Sequence, residues 1–277
     1  MPRAKAHDIE MYYEEAGRGP EPVVFVHGYT ASRAHWMNII PRLPLDRLRA
    51  LAFDLRGGGR SDRPASGHNI VQYADDVADA MKNLGIETFH YVGHSMGGLI
   101  GMCLALRHPN RLRTLILAAP VPSEGLNVPD ELRLAIRDAC SDGQRYWAFL
   151  STLTGRPLAE EMVQAFIQHY EVSSEENLEQ SWESMKQTNI ASRLGEITIP
   201  TLMVTGDRDV NRAATLVDAA RIPNCALQVF YRVGHQVPHE VPQEFADLVV
   251  DFIEHGVALP LDLQTIGSQS SARAELA

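Results

Sequence analysis

Short apolar runs recur along the first 120 residues and again after residue 200, each followed by a turn and then by helical spacing. Val23–Val26, Ala50–Phe53, Phe89–Val92 and Leu115–Ala118 are such runs, and Thr201–Thr205 and Leu227–Tyr231 resume the series. Val23 to Val26 is apolar at every position, the signature of a strand covered on both faces, as in a parallel sheet. Residues 5–15 read as an opening strand or hairpin, closed by the turn Gly17-Arg18-Gly19-Pro20. Ser32 is a candidate cap for a helix carrying Trp36, Ile39 and Ile40. Val77, Ala80, Met81 and Leu84 share one face of a helix over about 70–84. Helices are also expected near 212–220 and 242–255. Strands alternating with helices in this rhythm predict right-handed βαβ units, hence an α/β fold with a mostly parallel central sheet flanked by helices.

The rhythm stops after the strand at about 113–118. From 121 to 196 no β-type run appears; charged helical segments carry Trp147, Phe149, Phe166, Tyr170 and Trp182 instead. Residues 1–120 and 197–260 are therefore read as one core and 121–196 as an inserted helical cap. Residues 261–277, with Gly-Ser-Gln-Ser-Ser-Ala among them, read as a flexible tail.

Composition narrows the class. The 277 residues are 45% hydrophobic and 22% charged, enough for a large core, and the net charge is -10. That acidic balance argues against nucleic acid, whose phosphates need a basic surface. Cys103, Cys140 and Cys225 are widely spaced, fit no zinc pattern and no disulfide framework, and suit a reducing compartment. The first ten residues hold no apolar leader core, and no apolar run reaches the roughly 18 residues of a membrane span. The expectation is a cytoplasmic protein, monomer or homodimer, with no membrane or nucleic-acid partner.

The chemistry centres on Gly93-His94-Ser95-Met96-Gly97-Gly98, placed where the Phe89–Val92 strand should turn into a helix. In that context Gly-x-Ser-x-Gly is a nucleophile elbow: a tight turn holds the serine in a strained conformation at the top of a sheet, and side chains at 93 and 97 would collide with neighbours. A serine hydroxyl is a poor nucleophile and needs a base, itself oriented by an acid. Gly206-Asp207-Arg208-Asp209 follows one later strand and Gly234-His235 the next. Asp207 and Asp209 compete as the acid. The chain order is then serine, acid, histidine.

These stretches resemble the α/β-hydrolase superfamily, in the branch of esterases, cofactor-free haloperoxidases, enol-lactonases and C–C hydrolases. Matching segments are His27-Gly28-Tyr29, Asp54-Leu55-Arg56-Gly57-x-Gly59-x-Ser61-Asp62, the elbow, Gly206-x-x-Asp209, and Gly234-His235 followed by Pro238-x-Glu240-x-Pro242. The resemblance runs from about residue 8 to about 256. It implies Ser95 as nucleophile, His235 as base and Asp209 rather than Asp207 as acid, with the backbone amides of Tyr29 and Met96 as oxyanion hole. It gives His27 and the Asp54–Asp62 stretch organising roles and turns His94 away from the base; His239 is left as a pocket or surface residue. Trp36, Trp147, Val210 and Val237 are candidate pocket residues. The implied activity is hydrolysis of small to medium apolar esters or lactones through an acyl-enzyme, without metal or cofactor. Alternatives are C–C bond hydrolysis of the meta-cleavage type, a haloperoxidase-like perhydrolysis side activity, and a ligand receptor on a hydrolase scaffold. A serine in the elbow excludes carboxylate-nucleophile chemistry such as epoxide opening. The cap is expected to set substrate range more than the reactivity of Ser95.

Overall fold

The computed structural model describes residues 2–257, so the tail expected at 261–277 lies outside the described residues. Eight strands form one sheet: β1 (Arg3–Ala6), β2 (Ile9–Ala16), β3 (Glu21–Val26), β4 (Leu48–Phe53), β5 (Phe89–His94), β6 (Leu112–Ala118), β7 (Thr201–Gly206) and β8 (Cys225–Phe230). Their spatial order is β1-β2-β4-β3-β5-β6-β7-β8. The first two strands make an antiparallel hairpin and β2 runs antiparallel to β4; every later pairing is parallel. Antiparallel entry and parallel body are the expected mostly parallel sheet.

The apolar runs are continuous because both faces are covered. On β3, Val24 and Val26 point into one core layer while Val23 and Phe25 point into the other. The same alternation places Leu115 and Leu117 of β6 on the first side and Ile116 and Ala118 on the second. Helices α1 (Ile70–Asn83) and α2 (Met96–Arg107) pack on the first face. Asn69 caps α1 by accepting from the Gln72 amide. The one-turn helix α8 (Val237–Glu240) and the long α9 (Pro242–His255) cover the second face, where Phe245, Val249 and Phe252 are buried. Helix α7 (Arg212–Arg221) connects β7 to β8.

Between β6 and β7 stand four helices, α3 (Asp130–Ala139), α4 (Gly143–Ser151), α5 (Glu160–Gln168) and α6 (Glu175–Gln187), and no strand. They sit over the ends of the parallel strands. No helix among the described residues is long and apolar enough to cross a membrane.

The helix expected after Ser32 is instead a pair of 3-10 turns, Arg33–Trp36 and Ile40–Arg42. Ser32 does accept a backbone bond, from the Ala34 amide. Pro41 ends any longer helix, since it brings no N–H and restricts the residue before it.

Candidate active site

Ser95 sits between β5 and α2 at φ 53° and ψ -114°, a conformation that a residue with a Cβ rarely adopts. The turn is locked from several sides. The Ser95 amide donates to the Ala118 carbonyl at 3.0 Å, and the Ser95 carbonyl accepts from Val121 at 3.0 Å and Gly98 at 2.9 Å. The Tyr91 hydroxyl donates to the Gly97 carbonyl at 2.6 Å. A Cβ on Gly93 would strike the Gly97 carbonyl, and one on Gly97 would strike the Val26 carbonyl of β3. Both glycines are therefore required by backbone-to-backbone approach, and the strain at Ser95 is held by the packing beneath it.

His235 follows β8 and turns back over the sheet. Its Nε2 lies 3.0 Å from Ser95 Oγ, and its Nδ1 lies 2.9 Å from Asp209 Oδ1. The Asp209 side chain is fully buried. Its carboxylate also accepts from the Thr205 hydroxyl at 3.0 Å and the Asn211 amide at 3.0 Å. Burial works to raise the Asp209 pKa, but the bonds from His235, Asn211 and Thr205 outweigh it and hold the group below the usual carboxylate range. It stays ionised, so the proton between the two residues sits on His235 Nδ1 and leaves Nε2 free to accept from the serine. Asp207, the competing carboxylate, accepts instead from the Val233 amide at 3.2 Å and shapes the turn.

The loop after β3 runs against the elbow, so closely that a Cβ on Gly28 would lie 3.1 Å from Ser95 Cβ. Tyr29 is on this loop and Met96 opens α2. Neither residue's amide N–H has a protein partner among the described residues. His27 does organise the loop: its Nδ1–H donates to the Gly28 carbonyl at 2.8 Å, and its Nε2 accepts from the Leu55 amide at 3.1 Å. Asp54 and Arg56 are likewise buried and paired, Asp54 with Arg33 and Arg56 with Asp76.

Above Ser95 lies a cavity of about 140 Å³. About half of its lining comes from the inserted segment, with Leu132, Phe149, Phe166, Trp182 and Met185 turned inward from the four helices and Leu153 from the chain just after α4. Among the described residues no Lys, Arg, Asp or Glu lines it, and the titratable groups on its wall are histidines and tyrosines. The short-contact pair Thr30 and Tyr146 joins the loop after β3 to α4 by a side-chain hydrogen bond.

Of the pocket residues expected from sequence, Val210 lines the cavity and is 72% exposed, at its mouth. The others require correction. Trp36 is fully buried beneath the sheet, packed on Phe25 and Phe245 in the second core layer. Val237 is buried in that same layer, because α8 turns its apolar face to the sheet and away from the cavity. Trp147 packs at a tilt on Phe166 and is not among the residues lining the cavity; its neighbours Tyr146, Phe149 and Leu150 hold the inward phase of α4.

Two histidines also differ from expectation. His94 does not point away from the base residue: its ring lies 5.1 Å from that of His235, and its Nε2–H donates to the His235 carbonyl at 2.9 Å. Burial, with the nearby His235, lowers the His94 pKa to about 3, so it is neutral. His239 is neither in the cavity nor on the surface; it is buried, and its Nε2 lies 3.0 Å from His35 Nδ1. Thr205, Asn211 and Glu240 are site residues that sequence reasoning left without a role. Glu240 carried a signal, its fixed place after His235 in Pro238-x-Glu240-x-Pro242.

An eight-stranded sheet with an elbow serine, a following acid loop and a final histidine defines a class, and the similarities to known proteins agree. The family model described as alpha/beta hydrolase fold matches residues 21–241. The chain belongs to this family and is a hydrolase. It is 31% identical to a 2-hydroxy-6-oxononadienedioate/2-hydroxy-6-oxononatrienedioate hydrolase of Pseudomonas putida, over 90% of this chain and 93% of that one. Among solved structures, an esterase from Exiguobacterium antarcticum superposes with TM-score 0.82 at 25% identity, covering 91% of this chain and 98% of the other. A protein described as an N-acyl homoserine lactone degrading enzyme superposes with TM-score 0.75 at 28% identity, covering 91% and 100%.

Proposed function

We propose that this hydrolase cleaves uncharged carboxylic esters or lactones with small to medium apolar groups, through a covalent acyl-serine. The observation that carries the reading is a Ser95–His235–Asp209 hydrogen-bonded chain opening into an apolar cavity whose wall bears no cation. Ser95 Oγ attacks the ester carbonyl as His235 Nε2 takes its proton. The Tyr29 and Met96 amides, free of protein partners, receive the developing oxyanion, a contribution worth about 3–4 kcal/mol per donor when lost. The carbonyl re-forms, the alcohol leaves with the proton from His235, and Asp209 stabilises the transient imidazolium. Water then attacks the acyl-serine by the same route and the acid departs. Each step uses protein groups and water alone.

The cavity bears on the substrate. A space of about 140 Å³ matches the scale of an apolar cavity that takes up a benzene-sized group. Sequence similarity favours a second reading, hydrolysis of a C–C bond beside a ketone, since the Pseudomonas putida relative is named for such a substrate. That substrate is a dicarboxylate. A carboxylate buried in this cavity would find no Lys or Arg on the wall, and an unpaired buried charge is costly. The lack of a cation favours the ester or lactone.

A chain-length series of aromatic esters, with wild type and Ser95→Ala, tests the reading. Turnover is expected for short to medium acyl groups and is lost by about 10⁴-fold or more in Ser95→Ala. No ester turnover alongside cleavage of a vinylogous diketone moves the assignment to C–C hydrolysis.

A further inference from the structure

The inserted helices do more than roof the cavity. After α4 the chain from Leu153 to Arg156 lies flat on the segment that carries His235. The His235 amide itself donates to the Leu153 carbonyl at 2.8 Å. The approach is backbone to backbone. A Cβ on Gly155 would lie 2.7 Å from the Gly234 amide nitrogen, and a Cβ on Gly234 would strike the Leu153 carbonyl.

One buried side chain fastens the two segments. Glu240 is 6% exposed, and among the described residues its carboxylate accepts only from backbone amides. Gly155 and Arg156 donate to it from the cap strap at 2.7 and 3.2 Å. Gly234, the residue before His235, donates from the other side at 2.9 and 3.0 Å. Arg156 reaches the Arg232 and Tyr231 carbonyls, and Arg208, beside Asp209, donates to the Gly155 carbonyl at 3.0 Å. On the far side the His94 ring holds the His235 carbonyl. The peptide of His235 is thus held at its N–H by the cap and at its carbonyl by the elbow.

We propose that Glu240 is a positioning residue that clips the cap strap Leu153–Arg156 to the loop of His235 and so keeps the imidazole in line between Ser95 and Asp209. The proposal rests on the acyl-serine reading. A carboxylate suits the task because it presents acceptors alone, and three amide donors converge on it. Glutamine keeps the shape but turns one end into a donor facing N–H groups, so the clip opens. A ring displaced by a fraction of an ångström to an ångström loses the serine's proton transfer, and such misplacement costs up to about 100-fold in rate.

The test uses the full chain, as wild type, Glu240→Gln and Gly155→Ala. Two readouts are taken: the rate at which an alkyl fluorophosphonate phosphonylates Ser95, by intact mass, and kcat and KM for acetyl and hexanoyl aryl esters. In the labelling step Ser95 Oγ forms the P–O bond, His235 takes the proton and fluoride leaves. The expected result is labelling about tenfold to 100-fold slower in Glu240→Gln, with kcat reduced by the same factor on both esters and KM little changed. If the protein folds and labels at the wild-type rate, even with a lower Tm, the clip is structural only and the proposal falls. A loss that grows with acyl length also overturns it, since that is a pocket effect. Where Glu240→Gln does not fold, Gly155→Ala, which strains the same contact, is read by the same criteria. Failure of wild type to be labelled would instead remove the acyl-serine reading.

Discussion

The sheet floor and the helical cap are built on different terms. On the floor, α2 is buried from Met96 to Ala105, β5 is buried along its whole length, and both lean on neighbouring backbone. In the cap, α3 buries Ile136 alone among its ten residues and α5 buries none. Cap helices are held by aromatic contacts such as Tyr146 with Tyr170 and by exposed ion pairs such as Arg137 with Glu175. Exposed pairs contribute little each, about 0–1 kcal/mol. The floor therefore holds the reacting atoms, while the cap encloses a space. Where the two meet, at Leu153–Arg156 and His235, cap and floor are joined backbone to backbone.

Chemistry confined to the floor is the first point at which the contrast can be broken. Asp209→Asn removes the group that fixes the His235 tautomer and should lower kcat by about 10⁴-fold. Asp207→Asn, a turn residue, should cost less than about tenfold, which steady-state assays of the two variants will show. Equal losses would mean that the acid is shared.

Acid should unlock the floor. His27 and His239 are held at about 4 and His94 at about 3, mainly by burial, whereas the unfolded chain titrates near 6.5. Their folded pKa values are depressed, so the unfolded state binds protons that the native state refuses. Stability is full above about pH 6.5 and falls as pH drops toward about 4, by about 1.4 kcal/mol per histidine per pH unit. Urea unfolding at pH 7.5 and pH 5 measures it; equal midpoints would show that these histidines are not protected. His94→Gln should flatten the slope by one proton.

Hydrogen exchange sharpens the same contrast. Amides of α3 and α5 should exchange at least about 100-fold faster than those of β5 and α2, because little apolar surface opposes their opening. Uniform protection would make the cap part of the floor's cooperative unit.

The smallest effect concerns the cavity wall. Leu132→Ala should move the preferred acyl length upward and change the ratio of long to short ester turnover by about tenfold or less, as kcat/KM over the ester series will show.

These differences also decided what could be read from sequence. Ser95 and Asp209 each follow a strand covered on both faces, plain as an apolar run, and His235 follows the half-exposed edge strand β8, so chain order placed them. Asp209 was separated from Asp207 by resemblance, and geometry supplies the reason in the bond to His235 Nδ1. The pocket was harder. Trp36 and Val237 lie next to loops of the site, and only the direction of their side chains puts them under the sheet. Trp147 falls off the face that positions 146, 149 and 150 mark on α4, so helical phase turns it from the cavity. Glu240 escaped because its partners are backbone amides, which sequence does not distinguish.

The most direct test of the account pairs one neutral aryl ester with the same ester carrying a carboxylate at the far end of its acyl chain. Because no Lys or Arg among the described residues lines the cavity, kcat/KM should favour the neutral ester by at least about 100-fold. Equal or better turnover of the carboxylate ester would contradict the account and return the anionic, C–C-type substrate to first place.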